Sequence, residues 1–267
     1  METSKVMRAT LVGLLKKGKR LDERKLDEYR KIQVRSGISN NAEGSAEVRL
    51  GKTIVYVGVK IDIGEPFRDA PDEGILVVNA ELLPLSYPGF EPGPPGIDAI
   101  ELARIVDRGI RESEFIKLKE LCIEPGKKVY SVFIDIYPIN YDGNLVDASF
   151  LASIIALRQA FLPKLEKQGE DWQIVYGEKT NKKLPLNSKI PLMVTVYKME
   201  DVLFLDPNLT EEKACDAKIS LGFTEDKKEL IIHAMQKLGE DKLKQAQLQA
   251  IIELAKKGAE QIKKFLI

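Results

Sequence analysis

The chain has few of the side chains that most often build metal centres and acid–base relays. Its 267 residues include one histidine, His233, and two cysteines, Cys122 and Cys215. A single histidine excludes histidine-rich metal sites and weakens any Ser/His/Asp relay. His233 lies in an apolar stretch typical of a strand, where a structural role is expected. The cysteines are far apart without metal-ligand spacing, so we interpret them as small buried residues of a reducing compartment, with a disulfide left open. We expect no metal site and no cofactor.

The sequence also lacks net charge and long apolar runs. Its 41 basic residues balance its 41 acidic residues, which argues against a general binder of polyanions. Any nucleic-acid surface must therefore be a local patch. No apolar run approaches the length of a membrane span, and the charged N-terminal helix pattern differs from a signal peptide. These absences predict a soluble cytoplasmic protein without membrane contact.

Strand and helix patterns follow each other in an order that indicates an α+β protein. Alternating and β-branched stretches predict strands at 32–34, 46–50, 53–61, 75–82, 129–137, 192–199, 202–205, 218–223 and 229–235. Apolar residues at helical spacing predict helices at 4–18, 99–115, 147–161 and 241–265. Because strands precede helices twice, we predict two tandem α/β sandwich domains, 20–165 and 188–267, after an N-terminal helix within residues 1–19.

Three local interpretations accompany this division. The polar segment 163–190 is interpreted as the domain boundary, with short strand-like pieces only. Strands 202–205 and 218–223 are interpreted as a hairpin-like pair. Asp98 is predicted to cap the helix that begins at Ala99, with Glu101 as its capping-box partner.

A glycine loop, Tyr141–Asp147, joins the predicted strand 129–137 to an apolar helix. A strand, a glycine loop and a helix N-terminus together make a natural anion cradle, because unpaired N–H groups and the helix dipole favour negative charge. A working phosphate site would add a hydroxyl and a cation, but this loop has Leu145 and Val146. The sequence therefore predicts a phosphate-site architecture with nothing to neutralise an incoming phosphate.

Three arginines, Arg104, Arg108 and Arg111, share one face of the helix predicted at 99–115. One interpretation is a solvated face with ion pairs to Glu101 and Glu112. The other is a ladder of guanidinium groups for phosphates. The opposite face, which we expect to face the core, carries Leu102, Ile105, Val106 and Ile110.

Two further motifs have an ordinary and a functional interpretation. Asp206 and Glu212 are six residues apart after a strand, and paired carboxylates can bind a metal or supply a general acid. The turn Asp206-Pro207-Asn208 favours solvated caps instead. Gly51-Lys52-Thr53 resembles the end of a P-loop, but a strand follows it, so a hairpin turn is the better interpretation.

The order and spacing of several short motifs resemble the RNase PH family over nearly the whole chain. The motifs are Gly44-Ser45-Ala46, the hairpin at 51–53, Asn79–Pro84 and Phe90–Pro95. Ile100–Arg108 and Ile123–Lys127 are most similar to the family's non-catalytic subunits from archaeal exosomes. The resemblance implies the RNase PH fold, with a first domain like domain 2 of ribosomal protein S5.

The resemblance also implies what is missing. Active members degrade RNA from its 3′ end with inorganic phosphate, which they hold with Asp-Gly-Gly, then Thr or Ser, then Arg. The run here is Asp142-Gly143-Asn144-Leu145-Val146, and Ile97 and Asp98 replace the family's arginine pair. The family's two acids fall on Asp206 and Glu212.

A silent ring subunit is the role that this pattern implies. Three copies would alternate with three copies of a catalytic homologue, with RNA-binding cap subunits on one face. The implied contacts to single-stranded RNA are Arg104, Arg108 and Arg111, of which the first two are favoured, and no catalytic residue is implied. An active 3′-to-5′ exoribonuclease using Asp206 and Glu212 is one alternative. A purely structural assembly protein is the other.

Overall fold

The computed structural model describes residues 4–169, 171–226 and 229–266. Five α-helices lie in that part of the chain: α1 (Lys5–Leu15), α2 (Ile97–Arg111), α3 (Leu145–Gln159), α4 (Leu209–Glu212) and α5 (Gln245–Ile262). The first sheet is built from β1 (Ile32–Ser36), β2 (Gly44–Leu50), β3 (Thr53–Gly64), β4 (Ile75–Ala80), β5 (Cys122–Glu124) and β6 (Lys128–Asn140). Its order is β1-β2-β3-β6-β4, with β5 beside β6, and only β4 runs parallel to its neighbour.

Buried residues alternate with more exposed ones along β3, the second strand of the predicted hairpin. Val55, Val57, Val59 and Ile61 are buried, and the residues between them are more exposed. β-Branched side chains suit such a half-buried strand. Gly51 turns the chain at φ +60° between β2 and β3, so the hairpin interpretation of this motif is confirmed.

Two long strands, β7 (Phe161–Gln168) and β8 (Asp171–Lys183), form a separate two-stranded sheet. The prediction of only short strand-like pieces across 163–190 was therefore wrong. Helix α3 ends at Gln159, two residues before the predicted end, and Ala160 is extended. Phe161, the predicted end of the helix, is instead the first residue of β7.

The second sheet contains β9 (Leu192–Met199), β10 (Val202–Leu205), β11 (Ala217–Asp226) and β12 (Glu229–Leu238). Its order is β10-β9-β11-β12, and every pair is antiparallel. The predicted pairing of 202–205 with 218–223 was wrong, because β9 lies between those strands. A two-residue turn with Glu200 at φ +51° lets β10 fold back directly onto β9.

Helix α2 begins at Ile97 and not at Ala99. Gly96 is its N-cap in an extended conformation, and no side chain caps the helix. The predicted Asp98 cap was wrong, since Asp98 lies inside the first turn, where its charge still complements the helix dipole. The predicted core face is confirmed: Leu102, Ile105, Val106 and Ile110 are all buried.

Helix α3 lies in the centre of the molecule and contacts both sheets, through β2 and β3 on one side and β9 on the other. Its residues Val146 to Leu157 are all buried. The apolar core consequently runs without a break from the first sheet into the second. The loop before α3 therefore lies where the turn after β10 meets the first sheet.

Candidate functional site

The glycine loop of residues 141–144 connects β6 to α3 and adopts a left-handed conformation. Gly143 has φ +88°, and Asn144, the N-cap of α3, has φ 54° and ψ 51°. A Cβ on Gly143 would lie 2.4 Å from the carbonyl oxygen of Pro207. Only glycine therefore permits this contact between the loop and the turn after β10.

The carbonyl side of the loop is held by Thr53 and Arg30. The Thr53 hydroxyl donates to the Gly143 carbonyl oxygen at 2.7 Å and accepts from the Asp142 N–H at 3.1 Å. The Arg30 guanidinium donates to the carbonyl oxygens of Asp142 and Gly143, the latter at 3.1 Å. These contacts direct the loop carbonyls towards Arg30.

The N–H side of the loop is occupied by a carboxylate of the chain itself. The Asn144 N–H donates to Glu212 Oε2 at 2.9 Å. Glu212 also accepts from the hydroxyls of Tyr141 at 3.1 Å and Tyr197 at 3.0 Å. Burial, with the negative charge of Glu212, raises the pKa of both tyrosines above its ordinary value. The loop is thus filled by an internal anion, which the sequence does not reveal because residues 144 and 212 are far apart along the chain.

Asp206 is completely buried beneath arginine side chains. Arg30 donates to Asp206 through Nη2 at 2.8 Å, Nε at 2.9 Å and its backbone N–H at 2.7 Å. Arg24 and the Asn144 amide add contacts at 3.2 and 3.0 Å. The prediction of a solvated cap was wrong for Asp206, and Asn208 is the residue that caps α4. A carboxylate so fully engaged has no oxygen left to receive a substrate proton.

A second buried carboxylate, Asp147, lies in the first turn of α3. It accepts from Tyr29 Oη, from Asn144 Nδ2 at 3.0 Å, and from the Thr195 N–H and hydroxyl at 3.2 and 2.7 Å. Burial raises the pKa of Asp147 from 3.8 to about 6, although these hydrogen bonds lower it. Sequence reasoning missed this residue as a site member, and its signal was a single acid in an otherwise apolar helix.

A cavity of about 250 Å³ lies beside Glu212, between α2 and the loop that contains Tyr87, Gly89 and Phe90. Its charged lining residues are the acids Asp98, Glu101 and Glu212 and the lysines Lys213 and Lys218. The prediction that the pocket has nothing to neutralise a phosphate was therefore wrong, because two lysines reach it from the second sheet's side. Three carboxylates still outnumber two ammonium groups there, which disfavours a multiply charged anion.

The three predicted arginines of α2 are all exposed but differ in their partners. Arg111 pairs with Asp107 at 2.7 and 3.0 Å and donates to the Leu76 carbonyl oxygen at 2.9 Å. Arg108 makes one contact, from Nη1 to Gln236 Oε1 at 3.3 Å. Within the described ranges Arg104 forms no hydrogen bond or ion pair. The fixed ion pair of the helix is thus Asp107–Arg111, and two guanidinium groups remain available.

Arg104 and Arg108 border a groove on the outer face of α2. The cavity there measures about 260 Å³, and its other lining residues are Ile97, Ile100, Glu101, Ile105 and Gln236. Glu101 and Ile105 also line the cavity beside Glu212. The groove lined by Arg104 and Arg108 and the cavity beside Glu212 are therefore neighbours on α2.

No group of three or more His, Cys, Asp or Glu side chains in the described part of the chain is placed to hold a metal ion. Across residues 4–169, 171–226 and 229–266, no helix combines the length and apolar character that crossing a membrane requires.

Comparison with protein families matches both halves of the chain. Residues 28–163 match domain 1 of the 3′ exoribonuclease (RNase PH) family, and residues 189–258 match its domain 2. A curated relative from Thermococcus gammatolerans, "Exosome complex component Rrp42", is 44% identical over 98% of this chain and 94% of its own length.

Solved structures give the same picture. A chain of the structure "archaeoglobus fulgidus exosome with RNA bound to the active site" is 38% identical, with a TM-score of 0.85 over 97% of both chains. A chain of the "Archaeal exosome core" is 36% identical, with a TM-score of 0.82 over 97% of this chain and 96% of that one. Both matches cover nearly the whole of this chain.

Proposed function

The chain belongs to the RNase PH-like 3′ exoribonuclease family, and on that premise we propose that it is a non-catalytic subunit of an archaeal exosome core. In this role it supports cleavage by a catalytic homologue and contributes Arg104 and Arg108 to RNA binding. We assign this subunit to the cytoplasm. The chain matches relatives named as exosome components over nearly their whole length, which supports membership of such a complex.

The Glu212 carboxylate at the Asn144 N–H is the observation that carries the silent role. An incoming phosphate would need that N–H, and it would meet a negative charge already in place. The other acid of the pair, Asp206, is enclosed by Arg30 and Arg24. Phosphoryl transfer depends mostly on positioning and charge stabilisation, so losing both the anion site and the free acid supports inactivity.

The arginine groove supports a role in RNA binding. Arg104 is without a partner in the described part of the chain, and Arg108 has one long contact. Exposed guanidinium groups at helical spacing suit successive phosphates of a strand. Arg111 is already engaged by Asp107, so we assign RNA contact to the other two.

The proposed assembly is a ring in which three copies alternate with three copies of the catalytic homologue, capped on one face by RNA-binding subunits. Residues 20–165 and 188–267 would be its two family domains in each copy. Long exposed elements such as the edge strand β12, with Ile231 and Met235 40% and 51% exposed, are consistent with a chain that works inside an assembly.

The decisive test is a phosphorolysis assay on the purified chain, on the catalytic homologue, and on both together. We expect no nucleoside diphosphate from the chain alone with inorganic phosphate and RNA, and release from the mixture. Release by the chain alone would establish the rival view, an active exoribonuclease.

A parallel measurement separates RNA binding from assembly. Arg104→Ala with Arg108→Ala should leave the elution volume of the mixed complex unchanged and weaken its affinity for single-stranded RNA. Full RNA affinity in that variant complex would instead favour a purely structural subunit.

A further inference from the structure

Two large apolar side chains stand in solvent at the start of α2. Ile97 is 84% exposed and Ile100 is 49% exposed. Residues three apart on a helix are surface neighbours, so the two side chains form one small apolar platform. Scattered single apolar residues on a surface are ordinary, but here two lie side by side at the rim of one cavity.

The platform and the arginines lie in the same groove. Ile97, Ile100, Arg104, Arg108 and Gln236 are among the residues that line its volume of about 260 Å³. The four residues from Ile100 to Arg104 correspond to about 6 Å along the helix axis. A single nucleotide bridges such a distance between its base and its own phosphate.

Charge divides the groove into two ends. Glu101 lies one turn from Ile97 and repels a phosphate from the apolar end, where it can accept an N–H of a base. Arg104 and Arg108 lie one and two turns further on and attract a phosphate. Gln236, from β12, orients Arg108: arginine only donates, so Gln236 presents Oε1 to it at 3.3 Å and keeps its amide N–H groups for a phosphate or ribose oxygen.

We propose that this groove holds one whole nucleotide of single-stranded RNA, with the base on Ile97 and Ile100, its own phosphate on Arg104 and the next phosphate of the strand on Arg108. The inference rests on the proposed function, in which Arg104 and Arg108 contact only the phosphates of the RNA, and adds to it a contact with a base. Apolar contact with a base face accepts every base, so the site lacks strong sequence preference. The charge of the adjoining arginines favours a nucleotide over an apolar protein segment as the occupant.

The test compares two strands of equal length and equal phosphate number, one of ordinary RNA and one abasic ribose-phosphate strand. The protein is the full chain in complex with its catalytic homologue, and the readout is fluorescence anisotropy. The variant is Ile97→Ser with Ile100→Ser. Val6→Ser is the matched control, because Val6 is a 78% exposed β-branched residue near the start of α1.

We expect the double serine variant to bind ordinary RNA about fivefold more weakly, as for loss of one base contact, and to bind the abasic strand as well as wild type. Val6→Ser should change neither. If the complex that contains the double serine variant binds ordinary RNA as tightly as the wild-type complex, the base contact is overturned. Lost assembly would instead identify the platform as a protein interface.

Failure of the proposed function has a different signature. If Arg104→Ala with Arg108→Ala leaves binding of both strands unchanged, RNA does not use this face, and the base contact falls with it. If that variant weakens both strands while the serine variant weakens neither, the arginine contact stands and the base contact alone is refuted.

Discussion

The three arginines of α2 should contribute unequally to RNA binding, and salt dependence can measure each contribution. Each phosphate neutralised on a single strand adds about 0.7 to the slope of log affinity against log salt concentration. We expect Arg104→Ala and Arg108→Ala each to reduce that slope by about 0.7, and the double variant by about 1.4. Arg111→Ala, which removes a charge from the same helix, is the matched control.

The contacts that each arginine makes in the free protein determine how much RNA affinity its substitution should remove. Arg104 has no partner to give up in the described part of the chain, and Arg108 has a single contact, of 3.3 Å, to Gln236. An exposed charge contact is worth little, so each of these substitutions should weaken binding about fivefold at physiological salt. Arg111 would have to leave Asp107, where its contacts are 2.7 and 3.0 Å. Its removal should therefore leave both affinity and slope unchanged.

The assay is a fluorescence anisotropy titration of the mixed complex with labelled single-stranded RNA at several salt concentrations. Wild type and the four variants are measured side by side. Equal slopes for wild type and the double variant would refute phosphate contact. An effect of Arg111→Ala as large as that of Arg104→Ala would refute the reasoning from partner contacts.

Three predictions concern the carboxylates of Asp147, Glu212 and Asp206. Burial raises the pKa of Asp147 from 3.8 to about 6 in the folded protein, so between these pH values unfolding releases the carboxyl proton. The free energy of unfolding of the wild type, measured relative to Asp147→Asn, should therefore fall by about 3 kcal/mol from pH 3.8 to 6. Denaturant titrations at several pH values measure this. A pH-independent difference would contradict this. Glu212→Ala should cost about 2 kcal/mol, since Glu212 is partly exposed, and free the Asn144 N–H; sulfate at constant ionic strength should then raise the melting temperature of the variant only. Arg30→Met should cost about 3–5 kcal/mol by leaving Asp206 underpaired, and an unfolding midpoint equal to wild type would refute that pairing.

Much of the fold follows from local pattern. The alternation in β3 and the apolar face of α2 are properties of adjacent residues, so periodicity was sufficient to predict both elements. The pairing of β10 was predicted wrongly because strand order depends on which chain segment lies between two strands. The segment 163–190 was predicted to hold only short strand-like pieces because its polar composition hides the pairing of β7 with β8.

The candidate site divides in the same way. The missing hydroxyl and cation at Leu145 and Val146 and the arginine row on α2 are visible in the sequence. The contact between Glu212 and the loop is not visible in the sequence, because the packing of the second sheet against α3 sets the position of Glu212. The lysines Lys213 and Lys218 reach the pocket for the same reason.

The sequence by itself determined most helices and strands outside β7 and β8, the family and the loss of the phosphate-binding side chains of the loop, since these depend on residue type and short-range spacing. Only the tertiary structure decided that Glu212 occupies the loop N–H, that Arg30 encloses Asp206, and that Arg104 and Arg108 stay available while Arg111 does not. Each of the first two contacts joins residues more than 60 positions apart, and a hydrogen bond forms only where the packing of α3 between the two sheets brings donor and acceptor together.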